Sequence, residues 1–265
     1  MQDLFRSTLQ SRASLEEIHY LEVALESVQA SFAVAKSTAR WGLTSGHYGQ
    51  HEGDVEADDA ALSVLHRNGF AVLSEESGVT HSGEITAVID PVDGSSNVAR
   101  GLPYWCSSIA LVRGDQAFGS VIVAMPYGDV YWALEDRGAY FNSTPLQPTN
   151  PKPLSSSVVF LNGHSPRHLG WAQYRAFGSA ALELCMVASG VGDCFVDISR
   201  SGLAIWDYLG ALVVCRESGK YVCDRFGRDL ETISMQTRRN VVAASTKALV
   251  DELVEQIGDG SASSM

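Results

Sequence analysis

The feature that most constrains this chain is a pair of acidic turns, each set at the end of a short apolar run. Phe70 to Leu73 stops at Ser74-Glu75-Glu76-Ser77, and Ile85 to Ile89 stops at Asp90-Pro91-Val92-Asp93-Gly94-Ser95-Ser96-Asn97. Apolar runs of this length read as buried strands, so carboxylates are presented at strand ends. Pro91 stiffens the second turn, and two carboxylates separated only by Pro-Val can face one space. Like charges held together away from water repel unless a cation compensates them. Hard oxygen donors in this number suit Mg2+ or Mn2+ rather than zinc. Gly94-Ser95-Ser96 then offers backbone N–H groups without bulky side chains, a setting suited to phosphate. Metal ligands beside an anion nest point to phosphoryl chemistry. Taken alone, D-P-V-D-G is also an ordinary Asx-Gly turn, so the rest of the chain has to decide.

Charge narrows the classes further. The 265 residues carry 19 Lys+Arg against 31 Asp+Glu, a formal net charge of −12. That balance has no footprint for nucleic acid and no basic patch for an anionic membrane. No apolar stretch approaches the ~18 residues of a membrane span, and the N-terminus lacks signal-peptide features. The five cysteines are odd in number, lack C-x-x-C spacing and lie mostly in apolar runs, which predicts reduced buried thiols and a cytoplasmic setting. From Glu52 to Asp93 ten carboxylates stand against the single basic residue Arg67. Glu52, Asp54, Glu56 and Asp59 also suit a solvated helix start, where acids meet the positive end of the dipole.

Periodicity organises the remainder. Ser14 and Glu17 form a capping-box signature ahead of a long amphipathic helix through Ile18, Leu21, Leu25, Val28, Phe32 and Ala35. Gly42 to Gly53 reads as a loop, and Asp54 to Asn68 as a second helix. Ser107 to Phe141 carries strand-length runs parted by turns, an antiparallel meander. Four prolines between Pro145 and Pro153 mark a boundary between residues 1–150 and 151–265, packed as one unit. Strands are then predicted at Val158–Leu161, Cys194–Ile198, Lys220–Cys223 and Val241–Ala244, and helices at Ser179–Ser189, Ile205–Glu217 and Leu249–Ile257. Gly258 to Met265 reads as a frayed tail. The fold class is mixed α/β (α+β), with helices layered on sheets.

The octet from Asp90 to Asn97 resembles the D-P-[ILV]-D-G-[ST]-x-N signature of the inositol monophosphatase superfamily. Glu75-Glu76, Arg175-Ala176-Phe177-Gly178-Ser179-Ala180-Ala181 and Trp206-Asp207 resemble that superfamily's G-E-E, R-x-x-G-[ST]-A-A and W-D-x-A-x-G elements, in the same order. The resemblance implies a layered αβαβα sandwich and a magnesium-dependent, lithium-sensitive phosphatase that is commonly a homodimer. It implies two or three metal ions held by Glu75, Asp90, the Val92 carbonyl, Asp93 and Asp207, with Glu76 in support. Gly94, Ser95 and Ser96 would hold phosphate. Asp58 would work with the Ser95 hydroxyl on the attacking water, with Asp54 as its rival. The Val-Thr pair common before that helix acid is missing, and Leu209 stands where Ala is usual.

The same resemblance places the leaving group against Gly178, Ser179, Ala180 and Asp197, with Arg200 nearby. The substrate would be a small phosphate ester, inositol monophosphate first. Fructose 1,6-bisphosphate, histidinol phosphate and 3′-phosphoadenosine phosphates are alternatives, though no basic or aromatic adenine cradle is evident. A non-catalytic metal- and phosphate-binding regulator on the same fold is the reading of another class. His47, His51, His164 and His168 read as surface histidines, Trp105, Trp132 and Trp171 as packing residues, and Glu183 as a buried partner for Arg175.

Overall fold

A computed structural model describes residues 4–9, 12–37, 51–80, 82–124 and 127–258. His47, the loop up to residue 50 and the tail after 258 lie outside the described residues. Three helices come first, α1 (Leu4–Leu9), α2 (Leu15–Ser37) and α3 (Glu52–Arg67). The expected capping box opens α2: Ser14 N donates to Glu17 Oε2 at 2.7 Å, and Glu17 N to Ser14 Oγ at 3.1 Å.

Strands β1 (Ala71–Ser74), β2 (Gly78–Thr80) and β3 (Ile85–Asp93) follow, then a short α4 (Ser95–Ala99). The meander is β4 (Cys106–Arg113), β5 (Gln116–Ala124), β6 (Asp129–Leu134), β7 (Gly138–Phe141) and β8 (Thr144–Pro145). These eight strands make one sheet, ordered β2-β1-β3-β4-β5-β6-β7-β8, in which only β1 and β3 run parallel. The second half holds β9 (Val158–Asn162), β10 (Gln173–Arg175), α5 (Ala180–Ala188), β11 (Cys194–Asp197), β12 (Leu203–Ala204), α6 (Ile205–Glu217), β13 (Tyr221–Asp224), β14 (Arg238–Arg239), β15 (Val241–Ala244) and α7 (Lys247–Gly258). Its main sheet runs β10-β9-β11-β15-β13, and β12 pairs with β14 apart from it.

Side chains alternate across a strand, and here both faces of the large sheet are covered. Ile85, Ala87 and Ile89 of β3 join a core with α1, α2 and α3, while Val88 points into a second core with α5 and α6. That second core also takes Phe160 and Phe195 of the smaller sheet, whose other face packs Val159, Val196 and Val242 against Leu249 and Leu253 of α7. Three cores between five layers make the αβαβα sandwich. The central helix α6 lies so close to β4 that a Cβ on Gly210 would meet Ser108 Oγ at 2.7 Å. Trp105, Trp132 and Trp171 are packing residues, and all five cysteines are free thiols, four of them buried. His164 and His168 are exposed as expected; His51 instead is buried at the start of α3.

Candidate active site

The turn after β3 is built by removing it from the sheet. The β3–β4 register runs regularly to Asp90 opposite Ser108, then shifts before Asp93 pairs with Cys106. Pro91 has no N–H to donate at this bulge, and its carbonyl leaves the ladder. Two buried hydroxyls take that carbonyl instead, Ser31 Oγ at 2.9 Å and Ser107 Oγ at 2.6 Å. Val92 N donates to Asp90 Oδ1 at 3.0 Å, which fixes the carboxylate over the turn. Ser31 and Ser107 were not read as site residues. Their signal was polarity inside apolar runs.

Glu75, Asp90 and Asp207 converge. Each offers a carboxylate oxygen, and the three oxygens lie within 4.8 Å of one another. Glu75 comes from the end of β1, Asp90 from β3, and Asp207 from the first turn of α6, where its Oδ2 accepts from Ala204 N at 2.7 Å. Burial and then mutual repulsion push Glu75 and Asp90 well above the usual carboxylate range. Asp207 rises to about 7, from burial first and the charge of Asp93 second. Three oxygen donors that resist joint ionisation and converge on one point fit a hard divalent cation, which would remove the repulsion.

Asp93 stands beside this group without joining it. Its Oδ2 accepts from Ser179 Oγ and Ala181 N, both at 2.8 Å, and its Oδ1 from Ala180 N at 3.3 Å. Those donors hold its pKa at about 6 against the effect of burial. The carboxylate expected on a metal is thus shared with the start of α5.

The nest follows directly. Gly94 has φ +100°, and a Cβ there would press on the Gly178 carbonyl and Trp105 at 3.2 Å, so the position needs glycine. Ser95 and Ser96 open α4. Asn97 donates through Nδ2 to the carbonyls of Tyr104 and Phe177, both at 2.7 Å. It thereby ties α4 to the segment carrying Gly178, Ser179 and Ala180. Glu183 holds that segment from the other side, accepting from Phe177 N at 2.7 Å. The expected pairing of Glu183 with Arg175 is not formed; Arg175 is exposed and bonds to Gln173.

Two of the expected site residues are held by other partners. Asp58 does not turn toward Ser95; it accepts from Ser74 Oγ at 2.5 Å and from Ser77 Oγ. Asp54, one helical turn earlier, faces the acidic group. Its charge bears on Glu75 and Asp90, the Ser95 hydroxyl acts on it, and its Oδ1 is buried without a hydrogen-bond partner. Burial raises it to about 7, with Glu76 adding to the rise. Asp197 is fully buried. Asn162 Nδ2, Ser199 N and Asn240 Nδ2 donate to it at 3.0, 2.8 and 3.0 Å, which binds β9, β11 and β15 together.

The chain is similar to known proteins in sequence and in fold. The model of the inositol monophosphatase family matches residues 22–260. A fructose-1,6-bisphosphatase/inositol-1-monophosphatase from Archaeoglobus fulgidus is 35% identical over 211 residues, covering 77% of this chain and 82% of that protein. A Nus factor SuhB from Xylella fastidiosa is 34% identical over 175 residues, 60% of this chain and 62% of its own length. A solved Pyrococcus horikoshii structure, described by its similarities to inositol-1 monophosphatase, superposes with a TM-score of 0.79 at 23% identity, covering 92% of this chain and 99% of that one, a likeness of fold. No helix among the described residues is long and apolar enough to cross a membrane. Since the match runs through every element that carries the acidic corner and its nest, the chain belongs to the inositol monophosphatase family of phosphatases.

Proposed function

We propose that the chain is a metal-dependent phosphomonoesterase acting on a small polyol or sugar phosphate, with inositol monophosphate first. Fructose 1,6-bisphosphate, histidinol phosphate and 3′-phosphoadenosine phosphates stay as alternatives within the same chemistry. The convergence of Glu75, Asp90 and Asp207 supports this reading most directly. These residues, with the Val92 carbonyl and Asp93 at their edge, would hold Mg2+ or Mn2+. When bound, the ions supply Lewis acidity at phosphorus and at the attacking water.

The chain's own groups then have distinct work. Backbone N–H groups of Gly94, Ser95 and Ser96 would orient the phosphate at the start of α4. Asp54, with a pKa of about 7 and an unpartnered oxygen beside Ser95, is poised to take the proton of the attacking water. Asp58 supports this corner only through Ser74 and Ser77. Ser179 and the first peptide groups of α5 fix Asp93 and border the leaving-group side. Lithium sensitivity, a homodimer, a cytoplasmic setting and a division near residue 150 belong to the same proposal.

The test is phosphate release from a panel of these esters, with and without Mg2+ and Li+. Mg2+-dependent release that Asp207→Asn abolishes in a folded protein is the expected result. A non-catalytic regulator would bind Mg2+ and release nothing from any ester, which would sink the enzymatic reading.

A further inference from the structure

A cleft of about 710 Å3 opens where β9 and β11 end side by side, lined by none of the groups of the acidic corner. Its walls come from the segment after β9 (His164, Arg167, Leu169), the turn after β11 (Ile198, Arg200), Arg225 after β13 and Ile257 of α7. Gly163 keeps the first two walls in contact: at φ +97° its Cβ position is only 2.7 Å from Ser199 N.

The charge of this cleft runs against that of the chain. Three guanidiniums line it and no carboxylate does, although the net charge is −12. None of the ion pairs among the described residues involves Arg167, Arg200 or Arg225. Arg167 donates to the Gln256 carbonyl at 2.5 Å, and Arg225 lies 4.5 Å from the Phe226 ring centroid. Like charges around one space repel, and an anion between them would relieve that repulsion. Guanidinium forks match phosphate oxygens two at a time. Leu169, Ile198 and Ile257 add an apolar wall that a bare anion would not use, and the volume lies in the range of small-molecule sites. The carboxyl ends of neighbouring parallel strands are also where ligands settle in α/β sheets.

We propose that this cleft is a second anion site, separate from the acidic corner, that takes a phosphorylated small molecule with an apolar portion. The ligand is either the far end of a substrate or a free effector; both present the same chemistry.

Calorimetric titration of the full chain in EDTA separates this site from the metal corner, using inorganic pyrophosphate and ADP as probes. Both are expected to bind, and Arg167→Ala and Arg225→Ala each to weaken them by about tenfold or more. Thermal melts confirm that the variants are folded. No binding by the wild-type chain, or binding that only Ser95→Ala weakens, would overturn the proposal. A second arm uses Mg2+ and compares turnover of a sugar monophosphate with that of a bisphosphate. A KM increase confined to the bisphosphate in Arg225→Ala marks a substrate's far end. Unchanged KM values, with an ADP effect on rate lost in the variant, mark an effector. The EDTA titration needs no turnover, so the site stands or falls apart from the phosphatase reading.

Discussion

Asp54 and Asp58 sit one helical turn apart on the same face of α3, yet the structure gives them different work. Asp58 is bound by Ser74 and Ser77, whereas Asp54 leaves an oxygen unpaired beside the acidic group. Asp54→Asn is expected to lower kcat by about 100-fold or more with the melting temperature kept, as removal of a general base does. Asp58→Ala is expected to cost about 1–3 kcal/mol of stability, because two hydroxyls lose their acceptor, while kcat changes little. Denaturant unfolding together with steady-state rates reads both; the reverse pattern would restore Asp58 to the catalytic role. The sequence showed that an acid from the start of this helix was needed but not which one. That choice rests on the rotation of α3, which hydroxyls at the end of β1 and just after it settle. The bonds that Asp197 accepts were hidden for a similar reason: beside the local Ser199 N, its donors Asn162 and Asn240 lie 35 and 43 residues away.

Among the elements, long periodic segments were legible and short ones were not. Helix α6 and strand β15 fall where periodicity places them, and α2, α3 and the meander agree within a few residues. β8, β10, β12 and β14 have two or three residues each, too few to show an alternation, and their existence depends on partners. The joint between α4 and α5 belongs to this second kind. Asn97 holds the Phe177 carbonyl and Glu183 its N–H, so one residue is clamped through both of its backbone polar groups. Glu183 is buried, and burial raises it to about 8. A carboxyl raised by folding stabilises below its unfolded pKa, and that contribution is lost as pH rises through the folded value. Glu183→Gln keeps an acceptor for Phe177 N and carries no charge. Its melting temperature is therefore expected to match the wild type near pH 4 and to exceed it increasingly up to pH 9. A variant less stable than wild type at pH 9 would show that the charged form is the one the fold prefers.

For the molecule as a whole, the proposed metal site would link acidity to metal binding. Burial raises Asp93, Asp54 and Asp207 to about 6, 7 and 7, and burial first and neighbouring carboxylates second hold Glu75 and Asp90 well above the usual carboxylate range. All of these shifts are upward, so the folded state holds protons that the unfolded chain has released above about pH 4. Melting temperature in EDTA is expected to fall steadily from pH 5 to pH 8. Saturating Mg2+ is expected to restore most of it at pH 8 and little at pH 5, with protons released on binding at pH 7. Scanning calorimetry reads the first and a weakly buffered titration the second; a Mg2+ effect larger at pH 5 would contradict the linkage. The acidic cluster was visible along the sequence because Glu75, Asp90 and Asp93 fall close together. The arginine cleft was not, since Arg167, Arg200 and Arg225 meet only after β9, β11 and β13 have paired.

The bonds from Ser179, Ala180 and Ala181 to Asp93 join residues 86 to 88 positions apart. Closing so long a loop carries an entropic cost that adjacent contacts do not, and contacts of this range slow folding. The meander and the paired helices α2 and α3 can form from neighbouring segments, but Asp93 reaches its place only when α5 has docked. A chain emerging from a ribosome would therefore hold most of its acidic residues in position long before its corner was complete. The proposed active site would then be completed late, after the meander and the helices α2 and α3 that can form from neighbouring segments.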